Sequence, residues 1–268
     1  MMSNWFKDDL TALAFCWRIE RRDGVVLGFT SHDRHLAFDG LTYRAAPGMV
    51  PSAIERHDSL DPANMDLAGA LTSSLITEAD LLAGRWDGAR LNVTAVNWAN
   101  PSDNPVFLVR GELGSVESDG LSFSAELRGP AILLEAPVVE ETSPECRAEL
   151  GDRRCRVDMA ARRIVTRVIS ANGAVVTAER APGDYGFGVL RWLDGANAGL
   201  IAVIAESLGA LITLREPPPY APEAGAMIEL TEGCDKRFAT CSLRFGNAAN
   251  FRGEPHLPGN DMLVRYAK

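Results

Sequence analysis

The stretch TALAFCWRIERRDGVVLGFT, Thr11 to Thr30, decides the fold class. Leu13, Phe15, Trp17 and Ile19 recur at every second position, the period of a strand with one buried face. Asp23-Gly24 then breaks the run before Val25–Thr30 resumes it. Asp-Gly tolerates positive φ and turns a hairpin, so the stretch reads as two antiparallel strands. Cys16 falls opposite the large apolar side chains and reads as a small packing residue.

The same grammar repeats along the chain. Asp39-Gly40 joins Arg34–Phe38 to Leu41–Arg44, and Asp119-Gly120 joins Glu112–Glu117 to Leu121–Leu127. A strand is expected over Arg90–Asn97. Thr77 as cap and Gly84 as terminator predict one short helix over Thr77–Ala83. The segment Ala131–Ala136 fits a helical turn or a strand equally. Further strands are expected over Arg163–Ser170, Ala174–Ala178, Gly186–Leu193, Leu200–Glu206, Ala210–Leu214 and Met227–Leu230, with Pro217 to Pro219 marking a loop. The polar, Pro-flanked segment Pro137–Pro144 suggests a domain boundary. The expectation is a mainly β chain with few short helices. It has two β-rich domains, residues 1–137 and 138–245, and an extended C-terminal arm, 246–268.

With 268 residues, 46% hydrophobic and 24% charged, the chain can bury one large core or two modest ones. A net charge of −9 argues against non-specific binding to nucleic acid or anionic membranes. No apolar run approaches the roughly 20 residues of a membrane span. The opening MMSNWFKDDLTAL does not read as a signal peptide, so synthesis in the cytosol is expected. In that compartment clustered cysteines read more readily as metal ligands than as disulfides.

Four of the five cysteines form two pairs, Cys146 and Cys155 (C-x8-C) and Cys234 and Cys241 (C-x6-C), bracketing the strands of the second half. Thiolates suit zinc or iron–sulfur centres. These spacings are loose for a zinc knuckle, and an iron–sulfur cluster takes ligands from wider loops. Arg147, Arg153, Arg154 and Arg156 flank the first pair; Lys236, Arg237 and Arg244 flank the second. Such cations are expected to lower thiol pKa values and offset thiolate charge. Spacing alone leaves a shared metal site, two local disulfides and buried free thiols all open.

The enzyme signals are weak. His32 and Asp33 in one strand would point to opposite faces, and a polar hairpin end explains them and His35. There is no Gly-x-Ser-x-Gly elbow and no Gly-rich loop after a strand. Asp184 and Asp194, beside Tyr185, Phe187 and Trp192, are better explained by strand packing than by a sugar site.

The C-terminal segment carries a resemblance. Gly233-Cys234-Asp235-Lys236, Cys241, Arg244-Phe245-Gly246-Asn247, Asn250-Phe251-Arg252-Gly253 and Pro255–Pro258 resemble the signature of the phage tail-tip and baseplate hub family, which includes gene transfer agent hub proteins. Gly28–Arg34 and the Phe38-Asp39-Gly40 hairpin are similar too, although the resemblance leads one to expect an acidic residue at His35. The order of the cysteines is similar to that of the lambda-type tail-tip protein L. The resemblance implies a virion structural protein, not an enzyme. It implies a homotrimer that joins the distal tail protein to a central fibre or tip protein, without direct nucleic-acid contact or membrane insertion. It implies a [4Fe–4S] cluster on Cys146, Cys155, Cys234 and Cys241, with zinc as the alternative, and assembly into the tail tip of a phage-like particle. A stand-alone iron–sulfur electron carrier is the competing class; such proteins concentrate their cysteines in one short run.

Overall fold

The computed structural model describes residues 12–46, 50–51, 65–70, 76–118, 122–129 and 139–257. The chain divides into two compact units, Met1–Val138 and Val139–Lys268. It is mostly β-sheet, as the alternation and turns predict.

The strands of the first unit are β1 (Leu13–Glu20), β2 (Val26–Thr30), β3 (Leu36–Phe38), β4 (Leu41–Ala45), β5 (Val50–Pro51), β6 (Met65–Ala70), β7 (Arg90–Asn97), β8 (Val106–Ser118) and β9 (Ser122–Arg128). They form one sheet in the order β3-β4-β2-β1-β7-β8-β9-β6-β5. The β1–β2 turn places Gly24 at φ 88°, with the Gly24 N–H donating to the Arg21 carbonyl at 3.0 Å. At the β3–β4 turn both Asp39 (φ 50°) and Gly40 (φ 69°) are left-handed. That geometry is why Asp-Gly marks the hairpin. The turn at Asp119-Gly120 and the segment Ala131–Ala136 lie outside the described residues.

β1 is buried on both faces, which a single apolar stripe did not anticipate. Trp17 and Ile19 pack with Phe29, Trp86, Leu91, Val93 and Leu113. On the other face Ala14 and Cys16 pack with Leu36, Tyr43 and Val96. Burial pushes the Cys16 thiol up to about 11, and its S–H donates to Thr30 Oγ1 at 3.5 Å. The residue is thus a neutral packing group. The short helix α1 (Glu78–Leu82) begins where Thr77 accepts from the Asp80 N–H, close to the expected span.

The second unit contains β10 (Arg163–Asn172), β11 (Val175–Ala178), β12 (Val189–Trp192), β13 (Ile201–Leu208), β14 (Leu211–Leu214) and β15 (Met227–Thr231). They close into a barrel, β10-β11-β14-β13-β12-β15. Inward positions alternate along each strand, and Val168, Val176, Leu190, Trp192, Ile204, Ile212, Ile228 and Leu230 fill the interior. Register shifts at Val168/Ser170 and Ile204/Glu206 bend the two longest strands, as closure of a small barrel requires. The Pro217 to Pro219 loop is anchored by Asn197, whose buried amide bonds both the N–H and the carbonyl of Tyr220. A second helix, α2 (Phe238–Leu243), follows the barrel and was not expected from the sequence.

Leu230 is fully buried on β15, the strand that pairs with both β10 and β12. Leu230→Ala is expected to cost about 2–5 kcal/mol, as large-to-small core changes do. A urea denaturation midpoint well below that of the parent chain is the measurement.

Candidate metal centre

The four paired cysteines lie outside the barrel strands, yet the barrel brings them together. β10 and β15 pair antiparallel with Arg163 opposite Thr231. The pairing runs one step further, with the Glu232 N–H donating to the Arg162 carbonyl at 3.0 Å. The chain leading into β10 and the chain leaving β15 therefore share one end of the barrel. Close backbone approach helps fix that end: a Cβ on Gly233 would stand 2.0 Å from the Phe187 carbonyl carbon. Only glycine fits immediately before Cys234.

Backbone bonds then join the two cysteine-bearing segments. The Cys146 N–H donates to the Lys236 carbonyl at 2.8 Å, and the Arg147 N–H donates to the Arg252 carbonyl at 3.0 Å. The Glu254 N–H donates to the Ser143 carbonyl at 2.8 Å. Cys155 sits in a tight turn in which Asp152 accepts from the N–H groups of Glu149, Arg154 and Cys155. The Cys155 N–H is the largest of the influences that hold the Asp152 carboxyl below its ordinary range. Cys241 is carried on α2 and is buried.

Three sulfurs accept N–H donors. Cys146 Sγ accepts from the Arg252 N–H at 3.3 Å, Cys234 Sγ from the Lys236 N–H at 3.4 Å, and Cys155 Sγ from Asn247 Nδ2 at 3.7 Å. Lys236 reaches its place only by adopting φ 64°, a left-handed conformation costly for a side chain with a Cβ. Donors aimed at sulfur favour the thiolate over the thiol. All four cysteines are free of disulfides. Burial pushes the Cys241 thiol up, and the thiols of Cys146, Cys234 and Cys155 add to the rise. All four groups thus lie within electrostatic reach. Among the described residues, no three His, Cys, Asp or Glu side chains converge as a single-ion site. Four thiols with N–H donors aimed at three of them are a donor set of the kind that suits soft metal centres.

At Cys234 the flanking Lys236 acts in the expected direction but is outweighed. Burial dominates and raises the Cys234 thiol, with Lys236 only a lesser lowering influence. The cations have other partners. Lys236 Nζ bonds the Ala148 carbonyl at 2.7 Å and Glu149 at 2.9 Å. Arg147 makes a two-pronged bond to Glu254 at 2.7 and 2.9 Å. Arg244 and Arg162 share Glu232 at 2.8 and 2.7 Å, both guanidinium groups lying over Phe245. Arg147, Arg162, Arg244 and Lys236 thus brace the segments through carboxylates.

Asn247, a residue of the hub-like motif, ties the two cysteine pairs together. Its Nδ2 donates to the Cys155 carbonyl at 2.6 Å, its N–H donates to the Cys241 carbonyl at 2.9 Å, and its own carbonyl accepts from Cys241 Sγ at 3.4 Å. Asn250 Nδ2 holds Asn247 Oδ1 at 2.7 Å. One residue thus clasps a cysteine from each pair. This also refines the expected arm. Its proximal part is folded onto its own unit through Asn247, Arg252 and Glu254, while residues 258–268 lie outside the described residues.

The other singled-out residues serve structure. The chain bends at His32 and Asp33, placing His32 Nδ1 3.1 Å from Asp33 Oδ1, contrary to the strand expectation of opposite faces. His35 Nδ1 accepts from the Ala45 N–H at 2.9 Å. Asp194 accepts from the Met227 N–H at 2.7 Å, and Asp184 from the Gly186 N–H at 3.1 Å.

Residues 2–158, more than half of the chain, match the family described as baseplate hub protein, N-terminal attachment domain. Residues 183–261 match a second family, phage conserved hypothetical protein BR0599. Among solved structures, a chain of the virion of a native gene transfer agent particle is similar at 40% identity with a TM-score of 0.85. The match covers 98% of this chain and 94% of that one. No curated protein matches the chain in sequence. The fold and these matches define a structural component of a phage-like tail. The chain belongs to the baseplate hub protein family.

Asn247→Ala removes the side-chain bonds from Asn247 to Cys155. Faster alkylation of Cys155 in the metal-free protein, read by mass spectrometry, is expected, with Cys16 unchanged as the internal control. The Arg147 pairing holds the Glu254 carboxyl down from 4.5 to about 2. A depressed carboxyl contributes stability above its unfolded pKa and loses it as pH falls through the folded value. That contribution should be full above pH 4.5 and fade towards pH 2. Thermal melts of Glu254→Gln should therefore fall below the parent at neutral pH and converge with it in acid.

Proposed function

We propose that this chain is a structural adaptor at the tail tip of a phage-like particle. It acts as a homotrimer that joins the ring of distal tail protein to the central fibre or tip protein. The first unit supplies the ring-forming hub domain, and the second is stapled by a [4Fe–4S] cluster on Cys146, Cys155, Cys234 and Cys241. Family membership and the likeness to a gene transfer agent virion chain support the adaptor role. Closed cyclic symmetry suits such a junction. A structural task, with no catalytic one, is the role this family implies.

One observation carries the staple. Both cysteine pairs are delivered to the same end of the barrel, with N–H donors aimed at three of the sulfurs. A single zinc ion needs its thiolates around one centre at roughly 2.3 Å, whereas a cluster spreads them over several irons. The loose C-x8-C and C-x6-C spacings and the resemblance in cysteine order support the cluster over zinc. When bound, the cluster supplies iron–thiolate bonds that cross-link the two ends of the domain. Ligand bonds formed only in the folded state add their binding free energy to folding. The chain's own residues pre-arrange the donors.

An anaerobic visible absorption spectrum with iron and acid-labile sulfide analysis tests the assignment. A brown protein holding both elements is expected; a colourless protein holding zinc would replace the cluster with the alternative. Cys234→Ser with Cys241→Ser should lose the metal, lower the thermal midpoint and impair particle assembly. Normal folding and assembly of a metal-free variant would sink the structural role.

A further inference from the structure

The basic residues around the cysteines fall into two groups. Arg147, Arg154, Arg162, Arg244 and Lys236 are all paired with carboxylates. Arg153, Arg156 and Arg252 have no carboxylate partner among the described residues; the contact of Arg156 Nε is the Arg153 carbonyl at 3.3 Å. All three are exposed. With Arg154 and Asp152 they line one open cleft of about 540 Å³. Its one carboxylate is already committed, because Asp152 accepts three backbone N–H groups and lies 3.6 Å from Arg154 Nε. The cleft therefore presents a surplus of positive charge on a chain whose net charge is −9.

Among the described residues, the three arginine side chains make no bond to a cysteine sulfur. The link from Arg252 to Cys146 runs through the backbone N–H and leaves its side chain available.

We propose that this cleft is a docking site for an acidic polypeptide segment of a neighbouring tail protein. The proposal rests on the reading of the chain as an assembly adaptor. Guanidinium forks match carboxylates in two-pronged geometry and are the preferred cations at interfaces. The charge pattern favours a polypeptide over nucleic acid. A phosphate backbone needs an extended basic track, which this local cleft does not supply. A short acidic segment needs only the local cleft, and complementary charge would speed and orient its docking.

The test uses the full chain and a fluorescein-labelled decaglutamate peptide at low ionic strength, read by fluorescence anisotropy. The parent chain is expected to bind. Arg153→Glu with Arg252→Glu should weaken binding by at least about tenfold, the scale of losing charge-assisted pairs. Arg110→Glu with Arg215→Glu makes the same change in net charge elsewhere and should leave binding within about twofold. Should the reversal pair fail to fold by circular dichroism, Arg153→Ala with Arg252→Ala replaces it with the same expectation. No binding by the parent, equal loss in both double variants, or tighter binding of a ten-nucleotide single strand than of the peptide would each overturn the proposal. The readout needs neither bound metal nor particle assembly, so it fails or succeeds independently of the cluster and of the adaptor role.

Discussion

The pairing of β10 with β15 is the constraint on which the second unit depends. A barrel closed by its first and last strands must return its two ends to one place, whatever lies between them. Here that place is set by Arg163 opposite Thr231 and extended by Glu232 bonding Arg162. The consequence is chemical as well as topological. Cys146 and Cys155 approach from one side of the sequence and Cys234 and Cys241 from the other, and strand pairing converts that separation into proximity. The cost of closing the long loop between them is met mainly by the buried barrel interior. A ligand that bridges the sulfurs then adds to an arrangement already built.

Electrostatics at this end of the barrel operates in two layers. Near the sulfurs, backbone and amide N–H groups are the aimed donors, and burial pushes the Cys234 and Cys241 thiols up. Further out, guanidinium–carboxylate pairs tie the segments together: Arg147 with Glu254, and Arg162 and Arg244 with Glu232. These pairs are partly exposed, so each contributes modestly to stability. Their main effect is to fix the course of irregular chain, as Glu254 does by also accepting from the Ser143 N–H. The arginines left over from this bracing face solvent together, and that residue of charge is the surface available to a partner.

The first unit follows a different logic. Its sheet is anchored by β1, whose opposite faces serve two separate apolar clusters. This explains why Cys16, isolated from the other cysteines in sequence, is also isolated in chemistry. It is buried with Tyr43 and Val96 and bonds Thr30. A free cysteine so buried behaves as a small apolar residue.

By itself, the sequence determined the local structure. Alternating apolar residues from Leu13 to Ile19 and along the later strands specify β periodicity, and Asp23-Gly24 and Asp39-Gly40 specify turns through the few residues that accept positive φ. The two cysteine pairs and the hub-like motif were also readable, because residue type and spacing survive in a linear string. Only the tertiary structure decided that β1 is buried on both faces, since a strand enclosed on both sides looks half-buried when its second face uses small residues such as Ala14 and Cys16. It also decided the partners of Lys236, Arg147 and Arg244. A charge in a sequence has many carboxylates within reach, and burial and strand register select among them. The role of Asn247 was hidden for the same reason: its amide meets Cys155 across a gap that only the closed barrel brings within bonding distance.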